Sequence, residues 1–233
     1  MRLIGILFCL IVMFNVSAIA QPKLQIIGAV DFNFGIAPQS ATVVNYFWFK
    51  SVGKDTLRID RIKTGCDCAT MPLPKSVLAP GDSVQVGFFW DTQLKLGVSG
   101  RYPYIYVDNV ADPYRLALTM NVIARADSAV PLSLKPYKIE LSKMAGTSID
   151  SVGFVLTNRK SDGLTFKVVS VVPSDFSYQI PDSLPPNGTA KGYVKVAPSM
   201  TDREFKSSIT IEWTSSANET GRITLPIRRK LFG

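Results

Sequence analysis

Hydrophobic and polar residues alternate along most of the chain from Leu24 onward, in short runs that end at glycine, proline, asparagine or aspartate. A period of two residues is typical of a β-strand with one buried face, and turn residues at these spacings are typical of a β-sandwich. The clearest runs are Ser83 to Trp90, Gly100 to Asn109 and Tyr114 to Ala124. No long stretch has the period of an amphipathic helix. The pattern therefore predicts an all-β protein.

Two runs depart from simple alternation. The run from Ala41 to Lys50 is apolar on both faces, which is typical of a central strand covered on one side by the core and on the other by a neighbour or a partner. The run from Thr56 to Thr64 loses its alternation at Arg61 and Ile62, which predicts a β-bulge at that point.

The second half of the chain repeats the pattern of the first. Periodicity stops over residues 126–131, and the earlier pattern then returns at an offset of roughly 106 residues. Residues 21–126 and 127–233 are therefore predicted to be two tandem immunoglobulin-like β-sandwich domains, each long enough to bury a core. In this alignment Phe176 and Tyr178 fall where the first copy has Cys66 and Cys68, so the fold does not require sulfur there.

The N-terminus has the layout of a secretory signal peptide over residues 1–20. Arg2 precedes an apolar run, and the small residues Ala18 and Ala20 stand where a cleavage site needs them. The apolar run is shorter than the roughly 20 residues of a membrane-spanning helix, so the mature chain is predicted to have no span. We expect an exported protein, periplasmic or on the cell surface.

Charge and composition exclude several classes of function. The formal net charge is +8, but basic residues are dispersed, and the one dense run, Arg228-Arg229-Lys230, is predicted to be a solvated tail. Dispersed charge and export argue against a nucleic-acid partner. The chain has 0 histidines, which excludes Ser-His-Asp and Cys-His catalysis and histidine-ligated zinc within one subunit. We predict no enzymatic activity and no cofactor.

The segment from Thr64 to Thr70 holds Cys66 and Cys68, the cysteines that remain after leader cleavage. In an extended strand residues two apart have Cα atoms about 6.5 to 7 Å apart, so a bridge between them needs a turn at Asp67 and would be strained. A strained bridge is easily reduced, which makes redox exchange one interpretation.

Three other interpretations stay open at this point. The two thiolates together with Met71 have the softness to hold Cu(I), and nearby Lys63 and Arg61 favour the thiolate form. The cysteines can also bridge two chains. The interpretation we favour is structural, with two small side chains that pack at one end of a sandwich, bridged or not.

Five strand entries fit the pattern Asp-(Ser/Thr)-apolar, which is the acceptor pattern for O-glycosylation of exported proteins in one bacterial lineage. Aspartate before serine or threonine is also common in turns that lead into strands, which is the simpler explanation. The candidate acceptors are Thr56, Ser83, Ser128, Ser151 and Ser183.

Several motifs between residues 26 and 125 together resemble an uncharacterised family of exported bacterial immunoglobulin-like domains. That family is similar to Hydin, major-sperm-protein and PapD-like sandwiches. The resemblance implies the fold and export but no activity. The sequence departs from the family at Ser51-Val52-Gly53, where asparagine is commoner. The motifs are Phe32-Asn33-Phe34-Gly35, Ser51 to Leu57, Thr64 to Thr70, Ala79-Pro80-Gly81-Asp82 and Trp90-Asp91-Thr92.

We therefore predict a non-enzymatic envelope protein that binds or assembles with another envelope protein or a glycan. Sandwich edges and aromatic faces are the surfaces it would use, because open strand edges offer strand addition as a mode of recognition. The alternative is a thiol redox or copper-handling protein that acts through Cys66 and Cys68.

Overall fold

The computed structural model describes residues 22–232, and the predicted signal peptide lies outside them. Strands make up most of these residues, so the all-β prediction is confirmed. The helical elements of this part of the chain are two 3-10 turns, Ala126–Ser128 and Pro198–Met200. Between residues 22 and 232 no helix has the length and apolar character needed to cross a bilayer.

Eleven strands precede residue 126. They are β1 (Leu24–Ile27), β2 (Asp31–Pro38), β3 (Thr42–Ser51), β4 (Leu57–Lys63), β5 (Ala69–Thr70), β6 (Val77–Leu78), β7 (Ser83–Asp91), β8 (Gly97–Arg101), β9 (Tyr104–Val107), β10 (Tyr114–Arg115) and β11 (Ala117–Ile123).

Ten strands follow. They are β12 (Leu132–Lys135), β13 (Ile139–Met144), β14 (Thr147–Ile149), β15 (Ser151–Asn158), β16 (Leu164–Val168), β17 (Phe176–Gln179), β18 (Ser183–Leu184), β19 (Thr189–Val196), β20 (Phe205–Ser215) and β21 (Thr220–Leu231).

The first eleven strands form a sandwich. One layer has the order β1-β3-β7-β5, and the opposite layer combines β10-β9-β4-β6 with β8, β11 and β2. Alternate residues of both layers point inward, as the period of two predicts. Their side chains form one apolar cluster in which Phe34, Phe47, Phe88 and Trp90 are fully buried.

The last ten strands form a second sandwich with its own apolar cluster, which includes Phe154, Ile209 and Ile211. The layer β12-β15-β19-β17 faces a layer that contains β18, β16, β20, β21 and β13. Two immunoglobulin-like sandwiches are thus confirmed. The division between residues 126 and 127 stays a prediction, and the 3-10 turn Ala126–Ser128 lies at that point.

One sheet of nine strands passes through both sandwiches, because β2 pairs in parallel with β21 at Ile36 and Ile223. Gly35 permits this approach: its φ is +67°, and a Cβ added to it would lie 2.0 Å from the carbonyl oxygen of Arg222. The hydroxyl of Thr224 also donates a hydrogen bond of 2.6 Å to the carbonyl of Phe34. The backbones of the two sandwiches are therefore hydrogen-bonded to each other where β2 meets β21.

A second contact joins β3 to β20. The hydroxyl of Ser208 accepts a hydrogen bond from the amide of Val44 and donates one to its carbonyl, each 2.8 Å long, in a buried position. The outer face of β3 is therefore covered by the second sandwich at Val44, whereas Trp48 further along is 41% exposed. The neighbour that the doubly apolar pattern of β3 predicted is the other half of the same chain.

Two expectations about strands and tail are wrong. The predicted strand from Gly100 to Asn109 is broken at Pro103 into β8 and β9, because proline supplies no amide proton to a ladder. The basic run at the C-terminus is not a solvated tail, since it lies in β21. Arg229 is 1% exposed, and its guanidinium lies 2.8 Å from the carboxylate of Asp150.

The position of one β-bulge and one alignment between the two sandwiches also differ from the predictions. The bulge in β4 falls between Ile59 and Arg61, slightly before the predicted position. The proposed equivalence of the cysteines with Phe176 and Tyr178 is wrong. In the first sandwich the amide of Asp91 donates to Cys68, and the matching bond in the second sandwich runs from Ala197 to Asp175, so Asp175 is the counterpart of Cys68. The conclusion that the scaffold does not require sulfur there is unaffected.

Candidate functional site

The cysteine turn, residues 64–69, contains a disulfide between Cys66 and Cys68. Their Cα atoms are 5.2 Å apart, closer than in an extended strand, because the chain turns at Asp67. The hydroxyl of Thr64 donates a hydrogen bond of 2.8 Å to the carbonyl of Ala69, whose amide donates one of 3.2 Å to Cys66. These bonds close the turn around the disulfide.

The cysteine turn crosses from β4 in one layer to β5 at the edge of the other. The amide of Asp91 at the end of β7 holds the carbonyl of Cys68 at 2.8 Å. Both cysteines are half-buried and pack against the first apolar cluster, while Asp67 between them is exposed. The disulfide therefore lies at the open side of the sandwich.

Arg101, the last residue of β8, contacts both sulfur atoms. Its Nε lies 3.0 Å from Sγ of Cys66, and its Nη2 lies 3.1 Å from Sγ of Cys68. The third nitrogen, Nη1, donates a hydrogen bond of 2.6 Å to the carbonyl of Gly100. The planar guanidinium thus points one donor at each sulfur.

The guanidinium of Arg101 is also fixed on its face, since its central carbon lies 4.9 Å from the ring centroid of buried Trp90. None of the ion pairs formed within residues 22–232 includes Arg101. The charge that faces the disulfide therefore has no carboxylate partner in this part of the chain. Sequence reasoning missed Arg101, because it comes from a different strand than the cysteines.

The soft-metal interpretation stays a prediction for the reduced protein. The two sulfurs are bonded to each other, and Met71 is 7% exposed in the first apolar cluster. The described residues contain no group of three or more histidine, cysteine, aspartate or glutamate side chains arranged to hold a metal ion.

A second feature lies beside the cysteine turn, on the apolar edge formed by Leu94, Leu96 and Val98. Their exposed fractions are 77%, 55% and 83%, which places them among the most exposed large apolar side chains of the described residues. Val98 lies in β8, whereas Leu94 lies in the turn and Leu96 in the loop that lead into this strand. β8 ends the nine-stranded sheet with β11 as its neighbour. An exposed apolar edge of this kind is a site where another strand can add.

The counterpart of β8 in the second sandwich contacts the first sandwich. The N-terminal half of β20 pairs with β21 as β8 pairs with β11. The side-chain hydroxyl of Ser208 in this half bonds to the backbone of Val44 in the first sandwich. No strand within residues 22–232 pairs with the outer edge of β8.

A cleft of about 390 Å3 opens between the two sandwiches beside Leu94. Lys138, Lys206 and Arg228 line it together with Asp91 and Glu140, and Arg228 is paired with Glu140. The cleft is therefore polar and mildly basic where it meets the apolar edge.

The predicted aromatic face is the outer side of β3 and β7. Tyr46 and Phe89 pack edge to face with ring centroids 6.2 Å apart, next to exposed Trp48. Burial raises the pKa of Tyr46 to about 12, and the nearby Asp175 carboxylate contributes in the same direction. Burial also raises the pKa of Asp175. Part of this face is thus closed by the second sandwich.

The candidate glycosylation sites are dispersed over the surface, and the structure does not bring them together. All five acceptor residues are exposed, so each is accessible, and modification stays a prediction. They are Thr56, Ser83, Ser128, Ser151 and Ser183.

Residues 27–122 match a family described as "Protein of unknown function (DUF1573)". This stretch of the chain is therefore similar to the DUF1573 family. The resemblance identified from the sequence motifs is confirmed for this stretch, which is the first sandwich and includes the cysteine turn and β8. A search of curated proteins found no match.

Solved structures with similar folds include a PapD-like domain of human CEP192, at 10% identity, 48% coverage of this chain, 95% of that chain and a TM-score of 0.37. The E. coli chaperone DraB gives 9% identity, 91% and 97% coverage and a TM-score of 0.34. The Vibrio cholerae VesB protease gives 15% identity over 42% of this chain and a TM-score of 0.34, and only 31% of VesB is covered. Similarities this low carry no argument about function.

Proposed function

We propose that this protein is a non-enzymatic, exported binding module that holds an extended segment of another envelope protein as an added strand on β8. The observation that carries the proposal is the apolar edge. Leu94, Leu96 and Val98 are 77%, 55% and 83% exposed beside a strand whose outer edge is uncovered within residues 22–232.

An edge strand has amide and carbonyl groups that point away from its one neighbour and are free to pair. An added strand satisfies these groups and buries the side chain of Val98, while its end can contact Leu94 and Leu96 in the loop before β8. The bound segment would therefore be extended, with apolar residues at every second position. A glycan cannot provide the regular main-chain donors and acceptors that a strand edge matches, so a protein partner fits better.

The same chain shows a related contact. The side-chain hydroxyl of Ser208 in β20, the counterpart of β8, bonds to the backbone amide and carbonyl of Val44 in β3. The second sandwich thus satisfies backbone groups of a neighbouring strand, although it does so through a side chain. Export rests on the signal peptide predicted from residues 1–20.

Photo-crosslinking in the source cells tests the proposal. A photoreactive amino acid is placed at position 98, and the control position is 130, where Val130 is 62% exposed but does not lie in a strand. We expect a discrete adduct with one heterologous protein from position 98, lost when Leu96→Lys is added, and none from position 130. Equal labelling at both positions, or no adduct at position 98, would overturn the proposal. An adduct of twice the chain mass would overturn it in favour of self-association.

The captured partner then allows a quantitative measurement. Burying one valine side chain contributes about 1.5 kcal/mol or more. Val98→Lys should therefore raise the dissociation constant at least about tenfold. Val130→Lys makes the same change of charge and should leave binding within twofold. Equal effects of the two variants would show that the edge is not the contact.

A further inference from the structure

We propose that the Cys66–Cys68 disulfide is a thiol–disulfide exchange site, in which Arg101 stabilises the thiolate that leaves when a thiol attacks. This inference does not depend on strand addition at β8. It rests on how the guanidinium of Arg101 is placed against the two sulfurs.

The first step of the argument concerns charge. Disulfide sulfur is neutral and accepts hydrogen bonds weakly, whereas a thiolate is a charged acceptor that bonds strongly to a guanidinium. Nε and Nη2 of Arg101 lie 3.0 Å and 3.1 Å from the two sulfurs. The positive charge therefore complements the reduced pair better than the bridge that it now faces.

The second step concerns preorganisation. Arg101 is held by the ring of Trp90 on its face and by the carbonyl of Gly100 at Nη1. It takes part in none of the ion pairs of the described residues, so no carboxylate there competes for its donors. Donors fixed in advance where negative charge will develop lower the cost of forming that charge.

The third step concerns access and necessity. The cysteines are half-buried at the open side of the sandwich, so an incoming thiol can approach them. The second sandwich has Asp175 at the counterpart of Cys68 and makes the matching backbone bond from Ala197, so the strand that follows is held in place there without a bridge. The disulfide is thus an addition that the matching strand contact of the second sandwich does not require.

The exchange proceeds in two balanced steps. The thiolate of a thiol reductant attacks one cysteine sulfur, the Sγ–Sγ bond breaks, and its electron pair stays on the other sulfur as a thiolate facing Arg101. A second reductant thiolate attacks the mixed disulfide and releases the first cysteine as a thiolate. Two thiols are oxidised to one disulfide, the protein disulfide is reduced to two thiols, and the two protons of the reductant pass to the cysteines or to solvent. The reverse sequence oxidises a dithiol partner.

The test is redox equilibration of the mature chain in buffers of reduced and oxidised glutathione. The reduced fraction is read by alkylation and intact mass. Arg101→Met should lower the equilibrium constant for reduction about tenfold, because a hydrogen bond to a charged group contributes about 1.5 kcal/mol or more. Arg61→Met is the matched control: Arg61 loses the same charge, but its guanidinium stacks on Tyr106 at 4.2 Å and is not bonded to either sulfur.

An equilibrium constant for Arg101→Met that is unchanged or higher than that of the unmodified chain would overturn the proposal. So would equal decreases in the two variants, since a general effect of charge would then explain them. If Arg101→Met does not fold, Arg101→Lys decides. Arg101→Lys keeps the charge but cannot point one nitrogen at each sulfur, so its equilibrium constant for reduction should fall severalfold. An unchanged constant would refute the role of the two guanidinium nitrogens.

Discussion

Replacing Gly35 by alanine tests whether the two sandwiches are one structural unit. Gly35 lies in β2 where that strand meets β21, with a φ of +67°. The added Cβ would lie 2.0 Å from the carbonyl oxygen of Arg222 and 2.3 Å from its carbonyl carbon. Both atoms belong to the backbone, so no side chain can rotate away, and one of the strands must move by about 1 Å or more to reach van der Waals distance.

The magnitude follows from what this movement changes. A left-handed conformation costs an alanine roughly 1 kcal/mol, and forcing a methyl group into a packed site costs about 1 to 3 kcal/mol. Separating the strands also weakens the bond from Thr224 to Phe34, 2.6 Å long, and such a bond contributes about 1 kcal/mol. We expect Gly35→Ala to lower the free energy of unfolding by about 4 kcal/mol.

Urea unfolding followed by tryptophan fluorescence is the assay, since Trp90 reports on the first cluster and Trp213 on the second. The matched control is Gly81→Ala. Gly81 also has a positive φ, +88°, but no atom lies within 4 Å of its added Cβ, so it isolates the conformational cost of about 1 kcal/mol. We expect Gly35→Ala to separate the transitions of the two sandwiches as well. The reasoning fails if Gly35→Ala costs no more than Gly81→Ala.

Three further predictions concern the contact between β3 and β20, Asp175 and the covalent state. Ser208→Ala should lower the free energy of unfolding in urea by about 2 kcal/mol, because it leaves the buried backbone of Val44 unpaired. The control Ser207→Ala removes a buried hydroxyl without a hydrogen-bond partner and should not lower the stability in this way. Equal losses in the two variants would contradict the argument. Burial raises the pKa of Asp175 in the folded state, so the charge of this residue opposes folding at neutral pH. Asp175→Asn should therefore be more stable than the unmodified chain at pH 7, and the gain should shrink as the pH falls toward the ordinary aspartate pKa of 3.8. A loss of stability at pH 7 would refute this. Intact mass of the native protein, with and without alkylation, should show leader loss and no free thiol, and a mass equal to the bare polypeptide would remove the glycosylation prediction.

Alternation along the chain was enough to predict the inward faces of most strands and the two-sandwich fold. Leu116, Leu118 and Val122 are buried as their spacing indicates. Breaks within a strand were harder to predict. Pro103 divides an alternating run into β8 and β9, and the sequence does not reveal which strand each half pairs with. The prediction for the basic run was wrong for a related reason. Charged residues usually face solvent, but Arg229 is buried with the distant Asp150 as its partner.

The candidate site was only half predicted. Cys66 and Cys68 are close in sequence, so their bridge and its turn were open to reasoning from strand geometry. Arg101 and the pairing of Ile36 with Ile223 depend on where distant strands meet, and no local period carries that information. The residues Leu94, Leu96 and Val98 alternate in sequence like those of a core strand, and only the sheet order shows that no strand of residues 22–232 covers this edge.

The nine-stranded sheet also decides how a pull on this molecule would be carried. From β8 the strand order runs through β11 and β2 to β21 and β20, so neighbouring strands are joined sideways by hydrogen bonds from one sandwich into the other. Tension applied to a partner on β8 would pass across this sheet, and the single covalent connection near Ala126 would carry little of it. At the junction of the two sandwiches the load would be borne by the pairing of Ile36 with Ile223 and by the bond from Thr224 to Phe34. Because the strands within each sandwich pair over more residues than β2 and β21 do, this junction would be the first part of the sheet to separate under tension.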